Sequence, residues 1–523
     1  MNKLKKFSFL LPSIFMPAFP IFSFYLRNIS ELSLKFIEKP LMLSISLSLI
    51  GTLFFSFIIK NKNKAALLVF LFNLIFFSYG HLSNYLNSIL FIQLPKGIIL
   101  GPDKILLPSI ALLFALLSFK IFRSAKDFRQ IISFINVSLL VIVSYLSFSI
   151  AKKEYQKGTS LSILPPQSSS KNQEEQKITP DIYYIILDGY ARQDILKEIY
   201  DYDNSWFIES LRKMGFYVAD YARSNYLHTY LSLPSTLNMR YLDDLPKKYG
   251  KNPPSGSASR QLTSNNEVTK KLKDREYTII NFASIWEGTN ESYHADITYK
   301  GDEYFKFLGK NIALDETSIT FLQTTLLSPF IKEVWGDALR SRILYTLQKL
   351  PTIPFQKGKK FVIAHILAPH PPYVFTAEGN PVPGAEFEFA DEGVDKRKKY
   401  LDQLIFISKQ ILPVIQKIIQ NSPSPPIIIL QADHGPGSTF GKREEWQKNY
   451  SPAALRERSG ILYAVYFPNK NYSQFYPSIT PVNTFRLLFN VFFNENLELL
   501  PDKTFYTNYE KIYDFKDITD IVK

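Results

Sequence analysis

At 523 residues the chain is too long for one ordinary domain, and its length predicts two to four. It contains no cysteine, which excludes disulfides, thiolate catalysis, cysteine-ligated zinc and a formylglycine made from cysteine. The 61 Lys and Arg against 47 Asp and Glu leave a formal charge of +14. No element interleaves aromatic and basic residues as a nucleic-acid surface would, so nucleic acid is not expected as a partner.

The first 150 residues are far more apolar than the rest. Five segments, 8–26, 40–59, 65–86, 105–122 and 131–150, approach the roughly 20 residues that cross a bilayer core. Lys3, Lys5 and Lys6 ahead of the first segment resemble the start of a signal peptide. No small-residue cleavage site follows, and four more apolar segments do, so a retained span is expected. Loop charges set the orientation. Lys3, Lys5, Lys6, Lys60, Lys62, Lys64, Lys120, Arg123, Lys126 and Arg129 fall on one side; Arg27, Lys35, Lys39, Lys96 and Lys104 fall on the other. This bias predicts a multi-pass membrane protein with a cytoplasmic N-terminus and residue 151 outside. No charged residue sits deep in a span, so no ion pathway is expected.

Residues 151–179 carry Lys152, Lys153, Lys157, Pro165, Pro166 and a serine run, a composition that buries no core and reads as a juxtamembrane linker. From residue 180 to 523 the pattern becomes that of a single extracytoplasmic domain. Apolar runs at 182–187, 215–218, 277–282, 361–366, 427–431 and 461–467 are candidate strands, with helical patterns at 204–214, 267–273 and 398–420. Alternating strand and helix predicts an α/β fold with a mostly parallel sheet. The stretch 375–395 reads as a turn-rich loop.

In such sheets ligands collect at the carboxyl ends of strands. Asp433 and His434 follow the run Pro426–Gln431, and their oxygen and nitrogen donors suit zinc or manganese. Asp188 ends the first strand, before Gly189, and reads equally as a helix cap. The segment 224–236 sets hydroxyls at Thr229, Ser232, Ser235 and Thr236 where a helix begins. That is a place for phosphate or sulfate, or for ordinary caps. His365 lies near the end of a strand and His370 in the Pro-rich turn after it, where either suits an anionic substrate group or a leaving-group proton. His228 and His294 have weaker cases, and His81 reads as interfacial.

In this order, Asp188, Thr229-x-x-Ser232, His365…His370-x-Pro372-Tyr373 and Asp433-His434-Gly435 resemble the alkaline phosphatase superfamily. With five spans ahead of them, they look most like lipoteichoic acid synthases and lipid A phosphoethanolamine transferases, both sulfatase-like. The resemblance implies that Thr229 is the nucleophile and that Asp188, Thr229, Asp433 and His434 hold one divalent metal, zinc or manganese. It leaves a second metal open and makes His365 and His370 substrate-binding. Where sulfatases carry C/S-x-P-x-R, this chain reads Thr229-Tyr230-Leu231-Ser232-Leu233, without Pro or Arg, which disfavours the formylglycine route. The expected function is transfer of a substituted phosphate from a membrane lipid donor to a cell-envelope glycan or lipid acceptor through a covalent Thr229 intermediate. Hydrolysis of phosphodiesters or sulfate esters on surface glycans is the alternative. A non-catalytic membrane protein that binds an anionic ligand is the third reading.

Overall fold

The computed structural model describes residues 7–29, 34–87, 92–94, 98–100, 102–161, 180–253, 256–301, 305–307, 310–312, 316–382, 394–439, 450–508 and 511–523. They divide into two compact units. One takes Met1–Leu164 together with Thr317–Lys332; the other takes Pro165–Glu316 and Glu333–Lys523.

The first unit is built from α1 (Leu11–Arg27), α2 (Lys35–Ile59), α3 (Lys62–Asn87), α4 (Pro102–Arg123) and α5 (Arg129–Leu161). All five are long and apolar enough to cross a membrane. Large apolar side chains point outward, among them Phe57, Phe134 and Phe148, at 84%, 74% and 70% exposure. That is the reverse of a water-soluble bundle and suits a lipid-facing surface. Polar groups turn inward and pair: Ser13 with Thr52 at 2.6 Å, Asn73 with Ser48 at 2.9 Å, and Tyr79 and Ser83 both with Asp103 at 2.6 Å. Helix α5 continues to Leu161, well past residue 150; Ala151–Leu161 holds no proline ahead of Pro165, and its Gly158 is accommodated within the helix. The linker expected from 151 therefore begins as helix. Its remainder, 162–179, lies outside the described residues.

The second unit carries a seven-stranded sheet of β1 (Ile182–Leu187), β2 (Tyr217–Val218), β3 (Thr278–Phe282), β4 (Ile297–Tyr299), β5 (Lys360–Ile366), β6 (Ile427–Gln431) and β7 (Tyr463–Tyr466). The spatial order is β2-β7-β6-β1-β5-β3-β4. Four of the six pairings are parallel; β7 runs antiparallel to both β6 and β2. Every residue of β1, β5 and β6 is buried, as the continuous apolar runs require when both faces are covered.

Beyond residue 180 the chain also forms the helices α6 (Thr229–Leu237), α7 (Glu316–Gln323), α8 (Ser328–Lys349), α9 (Val394–Asn421) and α10 (Pro452–Ser459). One face of the sheet is covered by the helix Thr484–Phe493, whose Phe485 meets Tyr184 of β1 and Phe361 of β5 edge to face. Helix α9 lies against the strand-end loops. Its Tyr400 hydroxyl donates to Gly189 O at 3.0 Å, and its Gln403 amide donates to His370 O at 2.9 Å.

Candidate active site

Strand β1 is flanked by β6 on one side and β5 on the other, with Ile182 in register with both Ile427 and Phe361. Their carboxyl ends therefore converge, and Asp188 stands between the Asp433–His434 pair and the His365–His370 pair. Gly189 has φ +75, a left-handed turn that glycine adopts without strain. Its amide donates to Asp433 Oδ1 at 3.3 Å, while the His370 amide donates to Asp188 O at 2.9 Å. Helix α6 brings in the hydroxyl. His228 is extended ahead of it, Thr229 is its first residue, and Ser232 donates to Asp433 O at 2.7 Å, fixing the helix start against the end of β6. Thr229 Oγ1 lies 3.1 Å from His434 Nε2.

Partner chemistry settles the state of His434. Its Nδ1 is 2.9 Å from Gly435 O, which only accepts, so Nδ1 carries the proton. Its Nε2 is 3.0 Å from Arg458 Nη2, which only donates, so Nε2 presents a lone pair. Burial, aided by the Arg458 charge, holds the ring well below the usual histidine range, so it is neutral. That lone pair faces carboxylate oxygens, Asp433 Oδ2 at 3.4 Å and Asp188 Oδ1 at 3.7 Å, and neither oxygen has a hydrogen-bond partner. Two buried carboxylate oxygens left without a partner this close together are unfavourable unless a proton or a cation joins them.

The two carboxyls are driven apart as like charges in one buried site must be. Burial alone would raise Asp188, but His370 and the hydrogen bond from His365 outweigh it and hold it well below the usual carboxylate range. Asp433 is pushed up to about 7 by burial and then by the Asp188 charge. The Asp188, His370 and His434 donors lie within 4.8 Å of one another, as do those of Asp188, His365 and Asp433, so Asp188 belongs to both groups. Carboxylate oxygens and imidazole nitrogens at this spacing fit a divalent ion of the zinc or manganese type.

His365 has a different setting from the substrate-facing one expected. Its side chain is 0% exposed and both nitrogens are engaged. Nε2 donates to Asp188 Oδ2 at 3.2 Å, and Nδ1 accepts from Thr289 at 2.8 Å, whose hydroxyl also meets Ser284 at 2.6 Å. The relay orients Asp188 from behind. His370 is half-buried, with Nδ1 2.6 Å from Pro371 O; that carbonyl only accepts, so Nδ1 carries a proton and Nε2 is the nitrogen His370 could offer to a metal. His228 is structural: buried, bonded to Thr507 O at 2.9 Å and lowered to about 3 by burial and Arg458. His294 bonds Asn265 Oδ1 at 2.9 Å. Ser235 and Thr236 bond Arg240 O and Ser232 O, as ordinary helix hydroxyls do. Of the loop expected at 375–395, residues 383–393 lie outside the described residues.

Sequence reasoning did not find Arg458. It is buried in α10, where it donates through Nε to Leu227 O and through Nη1 to Gly435 O, each at 2.9 Å. It thereby clamps the approach to Thr229 onto the Asp433–Gly435 loop. In the charged run Leu455–Ser459 such a residue reads as solvent-facing, and no motif marks it. Gly435 makes the clamp possible. A Cβ there would meet Glu457 O at 2.2 Å and Gly460 O at 2.9 Å, so only glycine lets α10 approach this closely.

No protein-family model and no curated protein matches the chain. Solved structures do. The chain is similar to the C-terminal periplasmic domain of EcEptC from Escherichia coli, at 12% identity and a TM-score of 0.42, over 68% of this chain and 96% of that one. It is similar to the integral membrane lipooligosaccharide phosphoethanolamine transferase A (EptA) from Neisseria meningitidis, at 11% identity and 0.41, over 94% and 95%. It is also similar to a structure named as a 2-O GAG sulfatase, at 11% identity and 0.38, over 64% and 78%.

Proposed function

We propose that the chain is a membrane-anchored, metal-dependent phosphotransferase that moves a substituted phosphate from a membrane lipid to a cell-envelope acceptor by way of Thr229. One observation carries this reading. The Thr229 hydroxyl, at the first residue of α6, faces a buried cluster in which a histidine lone pair and two unpartnered carboxylate oxygens converge. A binding module for an anion has no use for a hydroxyl aimed at a ligand set of net negative charge.

In this reading Asp188, Asp433 and His434 would hold a divalent ion, with His370 completing one donor group. His365 holds Asp188 in place through the Ser284–Thr289 relay. A divalent ion bound there supplies Lewis-acid stabilisation of an alkoxide and of charge on phosphoryl oxygens. Thr229 Oγ attacks phosphorus; the new Oγ–P bond forms as the bond from phosphorus to the lipid oxygen breaks, and the hydroxyl proton ends on the departing lipid alcohol. An acceptor hydroxyl then attacks the same phosphorus as the Oγ–P bond to Thr229 breaks, and the acceptor's proton returns to Thr229 Oγ. The backbone N–H groups at the start of α6 and its positive dipole end favour the anionic group throughout. Arg458 keeps the Thr229 approach and the His434 ring in register.

The test is intact mass and peptide mapping of the full chain after incubation with phospholipid vesicles and divalent metal. A phosphoester adduct on the Thr229 peptide is expected, and its mass identifies the group transferred. Thr229→Ala should lose both adduct and lipid turnover while retaining bound metal and its melting temperature. Undiminished turnover in that variant removes Thr229 from the mechanism.

A further inference from the structure

Residues 317–332 follow a sheet strand in sequence, yet they belong to the compact unit of the five apolar helices. Helix α7, a turn at Thr324–Leu327 and the start of α8 follow one another there. From Thr317 to Ile331 there is no charged residue, and Glu316 and Lys332 flank the run. That length is too short to cross a bilayer and suits a segment that enters and leaves on one side.

The turn is seated on α3 by backbone bonds in both directions. Leu326 N donates to Phe76 O at 2.7 Å, and Gly80 N donates to Thr324 O at 3.1 Å. These groups of α3 are four residues apart, the two ends of one helical bond, so the turn engages the ladder itself. Gly80 permits the approach, because a Cβ would meet Gln323 O at 2.0 Å. Every amide of the turn is satisfied. Thr324 N and Thr325 N donate to Phe321 O and Leu322 O at 3.0 Å, Leu327 N donates to Thr325 Oγ1 at 3.2 Å, and Ser328 N donates to Thr325 O at 3.0 Å. Irregular backbone survives at membrane depth only with such complete satisfaction.

Depth follows from the span. Gly80 adjoins the interfacial His81, and Phe76 lies five residues before it. At about 1.5 Å per residue the turn meets α3 between the interface and roughly 8 Å below it. On the inner side Phe321 packs among Ile21, Phe24 and Phe77. On the outer side Leu327 and Phe330 are 39% and 64% exposed.

We propose that residues 317–332 form a re-entrant hairpin whose Leu327 and Phe330 contact lipid acyl chains in the leaflet reached by the Asn87 end of α3. The proposal is independent of the catalytic reading. It moves this stretch out of the aqueous domain to which its place in the sequence assigns it.

The absence of cysteine makes every introduced cysteine a unique labelling site. Leu327→Cys, Phe330→Cys, Phe134→Cys and Tyr221→Cys are made in the full chain, spin-labelled and placed in phospholipid nanodiscs. Collisions with oxygen, which concentrates in hydrocarbon, are compared with those of a water-soluble nickel chelate. Labels at 327 and 330 are expected to favour oxygen severalfold, as at 134 on the apolar surface of α5, and the label at 221 to favour nickel. Nickel-favoured signals at 327 and 330 overturn the proposal, and so does exclusion of both reagents, the mark of cover by protein. Adding Gly80→Leu should move the 330 label toward the nickel-favoured state; an unchanged label refutes the seat on α3.

Discussion

Replacing Gly435 by alanine is the most exacting test of how the site is built. The added Cβ would stand 2.2 Å from Glu457 O, about 1.2 Å short of the 3.4 Å at which ordinary contact begins. Neither side yields freely. Gly435 N donates to Arg458 O at 2.7 Å, and Gly435 O accepts from both Arg458 and His434. Relief requires α10 to withdraw by about 1 Å, taking Arg458 away from His434 and from Leu227. Overpacking of this kind costs about 1–3 kcal/mol of stability. A misplacement of about 1 Å at reacting groups costs on the order of 100-fold in rate. Gly435→Ala should therefore melt lower, bind divalent metal more weakly and turn over lipid about 100-fold more slowly, measured by thermal unfolding, metal titration and phosphoester release. Gly250→Ala is the control. Gly250 has φ +76 and ψ 168, backbone that glycine alone adopts readily, but nothing within 4 Å of its Cβ position, so it should lose about 1–3 kcal/mol and leave metal affinity unchanged. A Gly435→Ala protein with wild-type melting and wild-type metal affinity would refute the close approach and the clamp with it.

Two further outcomes are expected. Asp188→Asn should impair metal binding more than His365→Gln or His370→Gln, because Asp188 belongs to both donor groups and each histidine to one; metal content after dialysis distinguishes them. Burial would raise Asp194, but the ion pairs with Arg192 at 2.6 Å and Arg456 at 2.8 Å outweigh it, so its folded value is depressed. The unfolded chain then binds more protons than the native one in acid. The stability that Asp194 contributes is complete above its unfolded value near about 4 and is lost as pH falls through the lower folded value. Asp194→Asn should lower the melting temperature at neutral pH and flatten its fall below about pH 4; an acid limb as steep as in wild type would remove this carboxylate as a contributor.

The strands that build the site were legible because burial on both faces demands unbroken β-branched runs. The run 427–431 matches β6 residue for residue, and 182–187 matches β1. The short pieces were harder. The expected strand at 215–218 pairs only at Tyr217–Val218, and β4 has three residues, too few for a period to show. The strand-end rule pointed to Asp188, Asp433 and His434, since each follows a clear run, and the fold brings them together. It could not separate His365, which stands behind Asp188, from His370, which does not, because that difference depends on Thr289 from another element. Arg458 and the 317–332 stretch escaped for opposite reasons. A buried arginine is indistinguishable from a surface one by sequence alone, and fifteen uncharged residues inside a soluble-looking stretch read as ordinary core.

The seating of 317–332 in the first unit also changes what the chain's connectivity means. The second unit is joined to the first on three occasions along the sequence: once ahead of the sheet, once entering that stretch and once leaving it. A single proteolytic cut between residues 162 and 179 would sever only the first. The fragment from residue 180 onward would still carry the stretch seated on α3 and is expected to sediment with the membrane, so release of the second unit requires that stretch to come away as well.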